Sequence, residues 1–160
     1  MIHLFTTGGT IDKIYHDANS EFAVGDSLLP ELLAEANVTV PWQITELCRK
    51  DSLELTDHDR ASIRAAVAAS SEQRVIITHG PDTMDQTAVA LSDIRDKVIV
   101  LFGAMQPARM RRSDAVFNLG FAVAAVSLLT PGIYITMNGE VFEAGKVRKN
   151  LKAGRFEPLG

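Results

Sequence analysis

Two stretches of the chain carry residues whose types and spacing could do chemistry. Residues 4–11 read LFTTGGTI and residues 77–88 read ITHGPDTMDQTA. In each, an apolar run gives way to glycine, threonine or aspartate. Open α/β sheets bind their ligands outside the carboxyl ends of the strands, where such residues would stand. The pair Gly8-Gly9 lets backbone amides approach a ligand and take angles that other residues avoid. Thr10 then sits at the exit of the turn, a hydroxyl beside backbone donors. That arrangement suits a phosphate cradle or a hydroxyl nucleophile next to an oxyanion hole. TTGGT is neither G-x-G-x-x-G nor G-x-x-x-x-G-K-[ST], so its spacing gives nucleotide binding no support. Taken alone, HGPDTM also reads as a turn leading into a helix, with Asp82 or Thr83 as a cap.

The elements that position these residues are legible from periodicity. Strands are expected at 2–5, 43–47, 74–78, 97–102 and 132–137, and helices near 29–36, 57–70, 85–93 and 114–128. Continuous apolar strands separated by helices predict a largely parallel sheet covered on both faces. The fold class is therefore α/β, a three-layer sandwich with a Rossmann-like sheet of five or six strands. Thr56, with Asp59 three residues on, reads as a helix N-cap. The stretch DAVFNLGFAVAAVSLL is apolar almost all round and reads as a heavily buried helix. Segment 11–28 lacks a sustained period and reads as a long loop over the end of the first strand, the kind that serves as a lid or binding loop.

Bulk properties narrow the classes. A length of 160 residues favours one domain, and 46% hydrophobic with 22% charged residues is ordinary for a soluble globular chain. A net charge of −4 leaves no basic footprint for nucleic acid. The single cysteine, Cys48, forms no internal disulfide and belongs to no zinc-type spacing. No secretory signal and no apolar run of membrane-spanning length is apparent, so a cytoplasmic protein is expected. The histidines His3, His16, His58 and His79 accompany no Ser–Asp arrangement and read as structural or surface residues. No metal or other cofactor is expected.

Taken together, TGGTI at 7–11 and HGPDTM at 79–84 resemble the bacterial-type asparaginase–glutaminase family. The resemblance continues through DSLELT (51–56), GAMQP (103–107), SDAVFNL (113–119) and MNGEVFEAGKVRK (137–149), nearly the whole chain. The family's usual second domain, of comparable length, has no counterpart in these residues. The resemblance implies a left-handed crossover near the catalytic loops. It also implies an acyl-enzyme mechanism, in which a threonine attacks a side-chain amide and water releases the product. Here that nucleophile is Thr10. A threonine hydroxyl needs a neighbour to take its proton, and in the family a loop tyrosine does so. Phe22 occupies the matching position, and Tyr15, in the same loop, is the phenol expected to replace it.

Further roles follow from the same resemblance. Asp82 is expected to hold the substrate's α-amino group, a charge-assisted contact, and Ser52 its α-carboxylate. Lys149 matches the lysine of a second catalytic triad. The threonine of that triad is replaced by Pro81, which has neither a hydroxyl nor an N–H. Thr83, two residues on, is the hydroxyl expected to stand in. Gly9 would offer an N–H to the oxyanion, and Ala104 its carbonyl to the substrate's amide nitrogen. The reading is an amidohydrolase that converts L-asparagine to L-aspartate and ammonia. Its alternative is an amino-acid-binding module that keeps Asp82 and Ser52 but has lost catalysis. A homo-oligomer, dimer or tetramer, with weak substrate affinity is expected.

Overall fold

The computed structural model describes residues 1–160. In chain order it contains β1 (Ile2–Gly8), a 3-10 turn (Thr10–Asp12), β2 (Lys13–His16), β3 (Glu21–Val24), α1 (Leu29–Glu35) and β4 (Trp42–Lys50). A second 3-10 turn (Ser52–Glu54), α2 (Asp57–Ala69), β5 (Arg74–Thr78), a third 3-10 turn (Pro81–Thr83) and α3 (Met84–Ala90) follow. The chain ends with β6 (Val98–Phe102), α4 (Ala115–Leu128), β7 (Gly132–Met137), β8 (Glu140–Glu143), β9 (Val147–Asn150) and β10 (Arg155–Pro158).

The central sheet has the order β4-β1-β5-β6-β7-β8. Its first five strands run parallel and β8 closes one edge antiparallel. Side chains alternate across the sheet, as the two-residue period of a strand requires. Ile2, Leu4, Ile76, Val100 and Phe102 face one core with buried residues of α1 and α4. Phe5, Val75, Ile77, Ile99 and Leu101 face the other with Ile63, Val67 and Ala88 of α2 and α3. The result is the expected three-layer α/β arrangement. The N-terminus of α2 carries the expected cap in full: Thr56 Oγ1 accepts from the Asp59 N–H, and Asp59 accepts from the Thr56 N–H at 2.8 Å.

Segment 11–28 departs from its reading as a loop. β2 and β3 form a two-stranded hairpin with Tyr15 opposite Phe22. Most of its residues are exposed on both faces, so no apolar alternation marks it in the sequence. β8 also lies outside the expected strands. It follows from an Asn138-Gly139 turn with φ of +50° and +91°, the pairing that two-residue hairpin turns favour. A third hairpin, β9–β10, carries Lys149 opposite Phe156 and buries Val147 and Phe156 in the second core.

Candidate active site

Strands β1, β4 and β5 end side by side, and their exit loops interlock backbone to backbone. Gly9 has φ +90°, and a Cβ there would fall 2.4 Å from the Gly80 nitrogen. A Cβ on Gly80 would fall 2.7 Å from Ser52 Oγ. Only glycine allows this approach, which brings TGGTI, DSLELT and HGPDT to one mouth. Ser52 is buried there, and its hydroxyl has no hydrogen-bond partner. A buried hydroxyl without a partner is unusual in a folded chain.

Thr10 opens the first 3-10 turn, half-buried. The first hydrogen bond of the turn runs from the Asp12 N–H to the Gly9 carbonyl, so the Thr10 and Ile11 amides have no partner within it. Gly9, expected to donate to an oxyanion, instead gives its N–H to the Lys50 carbonyl at 2.9 Å. Thr10 lines a cleft of about 200 Å³ with Lys13, Phe22, Gln106, Pro107 and Met110. Tyr15 opens on an adjoining cleft of about 280 Å³ that shares four of those residues. Phe22 therefore borders the Thr10 cleft itself, while Tyr15 stands one cleft away with its ring edge on Phe22, centroids 5.3 Å apart.

The third 3-10 turn holds the remaining site residues. Pro81 takes its first position, where a missing N–H costs nothing and the fixed φ fits. Asp82 pairs with Lys149 Nζ, delivered across from β9. Thr83 donates its hydroxyl to the Ser52 carbonyl at 2.8 Å, so it joins two loops rather than facing outward. Behind this turn His79 is fully buried between the Gly80 carbonyl, 2.7 Å from Nδ1, and Thr87 Oγ1, 2.7 Å from Nε2. Burial holds its imidazole down to about 4, so it is neutral and structural, as the sequence implied.

Residues not singled out from the sequence complete the site. Lys13 pairs with Asp51 at 2.7 Å and pins the base of the β2–β3 hairpin to the turn bearing Ser52. Arg109 donates to the Asp26 carbonyl, and the Gly25 N–H donates to the Asp12 carbonyl at 2.9 Å. Asp12 is only 1% exposed and its Oδ1 has no hydrogen-bond partner. Burial pushes its carboxyl up to about 6, against the pull of Ser27, the Leu28 backbone and Arg109. On the far wall the loop after β6 carries buried Ala104 and is bound to Asp114. The aspartate in TGGTID gives no sequence signal of burial, and that in SDAVFNL none of its hydrogen-bond partners; only the fold reveals them. No group of three or more His, Cys, Asp or Glu side chains is placed to hold a metal ion.

Comparison with known proteins agrees with this architecture. Residues 1–157 match the family described as "Asparaginase, N-terminal". The glutaminase-asparaginase of Acinetobacter glutaminasificans is 28% identical over 92% of this chain and 49% of its own length. The probable periplasmic L-asparaginase of Haemophilus influenzae is 32% identical over 92% of this chain and 46% of its own. The crystal structure of L-asparaginase I from Vibrio cholerae superposes with a TM-score of 0.86 at 25% identity, covering 98% of this chain and 50% of that one. The chain thus spans half or less of the length of these proteins. By sequence match and by fold alike, it belongs to the asparaginase family, along whose N-terminal domain it extends.

Proposed function

We propose that this chain is an amidohydrolase that converts L-asparagine to L-aspartate and ammonia through an acyl-enzyme on Thr10. The observation that carries the reading is the convergence at one mouth of Thr10, the unpartnered hydroxyl of buried Ser52 and the Asp82–Lys149 pair. Asp82 takes the substrate's α-ammonium and Ser52 its α-carboxylate, which aims the side-chain amide at Thr10. Thr10 Oγ attacks the amide carbon while its proton passes to Tyr15, once the hairpin brings the phenol across from the adjoining cleft. The oxyanion is met by backbone amides at the start of the Thr10 turn. The C–N bond then breaks, ammonia leaves with the returned proton, and water hydrolyses the ester to aspartate. Ala104 accepts from the amide nitrogen. Lys149 holds Asp82 in place, and Thr83 keeps the two loops together.

Pro81 removes one hydroxyl and one N–H from this set, and the clefts are open to water, which weakens electrostatic stabilisation. A Michaelis constant in the millimolar range, at the upper end of ordinary values, belongs to this reading. So does a homo-oligomer. α4 has no charged residue, and its outer face exposes Val116, Phe117 and Leu128. We also assign the chain, as one domain, to the cytoplasm, where an unpaired Cys48 stays reduced.

Ammonia release from L-asparagine by the wild type and by Thr10→Ala tests the function. Release that disappears in the variant supports Thr10 as nucleophile. Absence of release, with L-asparagine or L-aspartate still raising the melting temperature, identifies a binding module instead.

A further inference from the structure

Asp114 stands at the start of α4 and accepts from four donors. The Met105 and Gln106 amides each reach its carboxylate at 3.0 Å, and the side-chain amides of Asn118 and Asn138 reach Oδ2 at 3.0 Å. Two of these partners are themselves tied in. Asn118 donates to the Gly103 carbonyl at 2.9 Å and accepts from the Asn138 N–H at 3.0 Å. Ser113 donates to the Gln106 carbonyl at 2.9 Å. Loop 103–107 is therefore held at Gly103, Met105 and Gln106, while the carbonyl of buried Ala104 between them accepts no hydrogen bond. The same loop reaches the Thr10 cleft through Gln106 and Pro107. A loop fastened on both sides of a carbonyl presents that carbonyl in a fixed direction.

We propose that Asp114 is a positioning residue for amide hydrolysis, which fixes the Ala104 carbonyl to receive the N–H of the leaving amide. The inference rests on the asparaginase reading above and assigns it a specific source of preference for amides over esters. Because all four partners of Asp114 donate, an asparagine at this position meets donors on both sides. Whichever way it turns, its NH₂ opposes an N–H, and the loop loosens.

The test compares L-asparagine with the β-methyl ester of L-aspartate, whose methoxy leaving group has no N–H to offer. Asp114→Asn should lower kcat/KM for L-asparagine at least tenfold and for the ester less than twofold, with an unchanged circular dichroism spectrum. If Asp114→Asn does not fold, Asn138→Gly carries the test: glycine tolerates the positive φ at that turn and removes one donor. Its expected loss is about threefold on the amide alone. Equal losses on both substrates, or no loss on either, overturn the inference and leave the asparaginase reading intact. A wild type that hydrolyses neither substrate overturns both.

Discussion

Asp12→Asn should stabilise the protein, and by an amount that depends on pH. The wild-type carboxyl is 1% exposed, with Oδ1 unpartnered, and burial raises it from an ordinary 3.8 to about 6. Arg109 opposes the rise and Glu46 adds to it, so the net effect already includes the charges that face the group. Below about pH 3.8 the carboxyl is protonated in both folded and unfolded chains and costs nothing. Between 3.8 and 6 the folded chain keeps a proton that the unfolded chain releases, so stability falls as pH rises. Above 6 the full penalty applies, on the order of 3 kcal/mol. An asparagine has the same shape and never ionises. The stability gap between variant and wild type should be near zero at about pH 4 and approach about 3 kcal/mol at about pH 7. In a chain of this size that corresponds to roughly 6–12 °C in Tm. Urea unfolding of both proteins, followed by circular dichroism across this pH range, measures the gap directly. A gap that stays constant with pH, or a wild type more stable than the variant at neutral pH, refutes the account.

Three further outcomes can be measured. Pro81→Thr restores a hydroxyl and an N–H beside Asp82 and should raise ammonia release at least tenfold, up to about 10²-fold where the new amide meets the oxyanion; unchanged release removes Pro81 as the weak point. Tyr15→Phe should lower kcat by about 10²-fold or more, the usual worth of a general base, and a kcat within twofold of wild type would take the phenol out of the mechanism. Thr56→Ala breaks the capping box of α2 and should cost about 1 kcal/mol in urea unfolding without changing KM; a loss below the error of the measurement means the cap is redundant.

The parallel strands and the four helices are legible in the sequence because each buries a face, and burial writes a period into the residues. RVIIT and VIVLF read as strands because they are short continuous apolar runs, and apart from Arg74 both are buried on both faces of the sheet. The β2–β3 hairpin escapes because it buries neither face, so YHDANSEF has nothing to alternate. β8 has a usable local signal in Asn138-Gly139 that composition alone does not weigh. The candidate site residues Thr10, Ser52 and Asp82 are legible from motif order. Their surroundings are not: the burial of Asp12 and the four donors on Asp114 arise only when loops, helix and turn pack together. The commitments of the Gly9 amide to Lys50 and of the Thr83 hydroxyl to Ser52 are likewise tertiary facts.

The hairpin that carries Tyr15 is closed at its base by Asp12–Gly25 and joined to the body there through Lys13–Asp51 and Asp26 with Arg109. A two-stranded ribbon has little stability of its own in water. Its amides should therefore exchange with deuterium through local opening, while those of β1, β5 and β6 wait for the whole molecule to unfold. In the mechanism proposed above, where Tyr15 must reach Thr10, only the fraction of molecules with the ribbon folded over the mouth would be competent to turn over. Stiffening this ribbon, by tighter pairing across exposed His16 and Glu21, is thus a route to a more populated competent state that changes no residue of the Thr10 cleft.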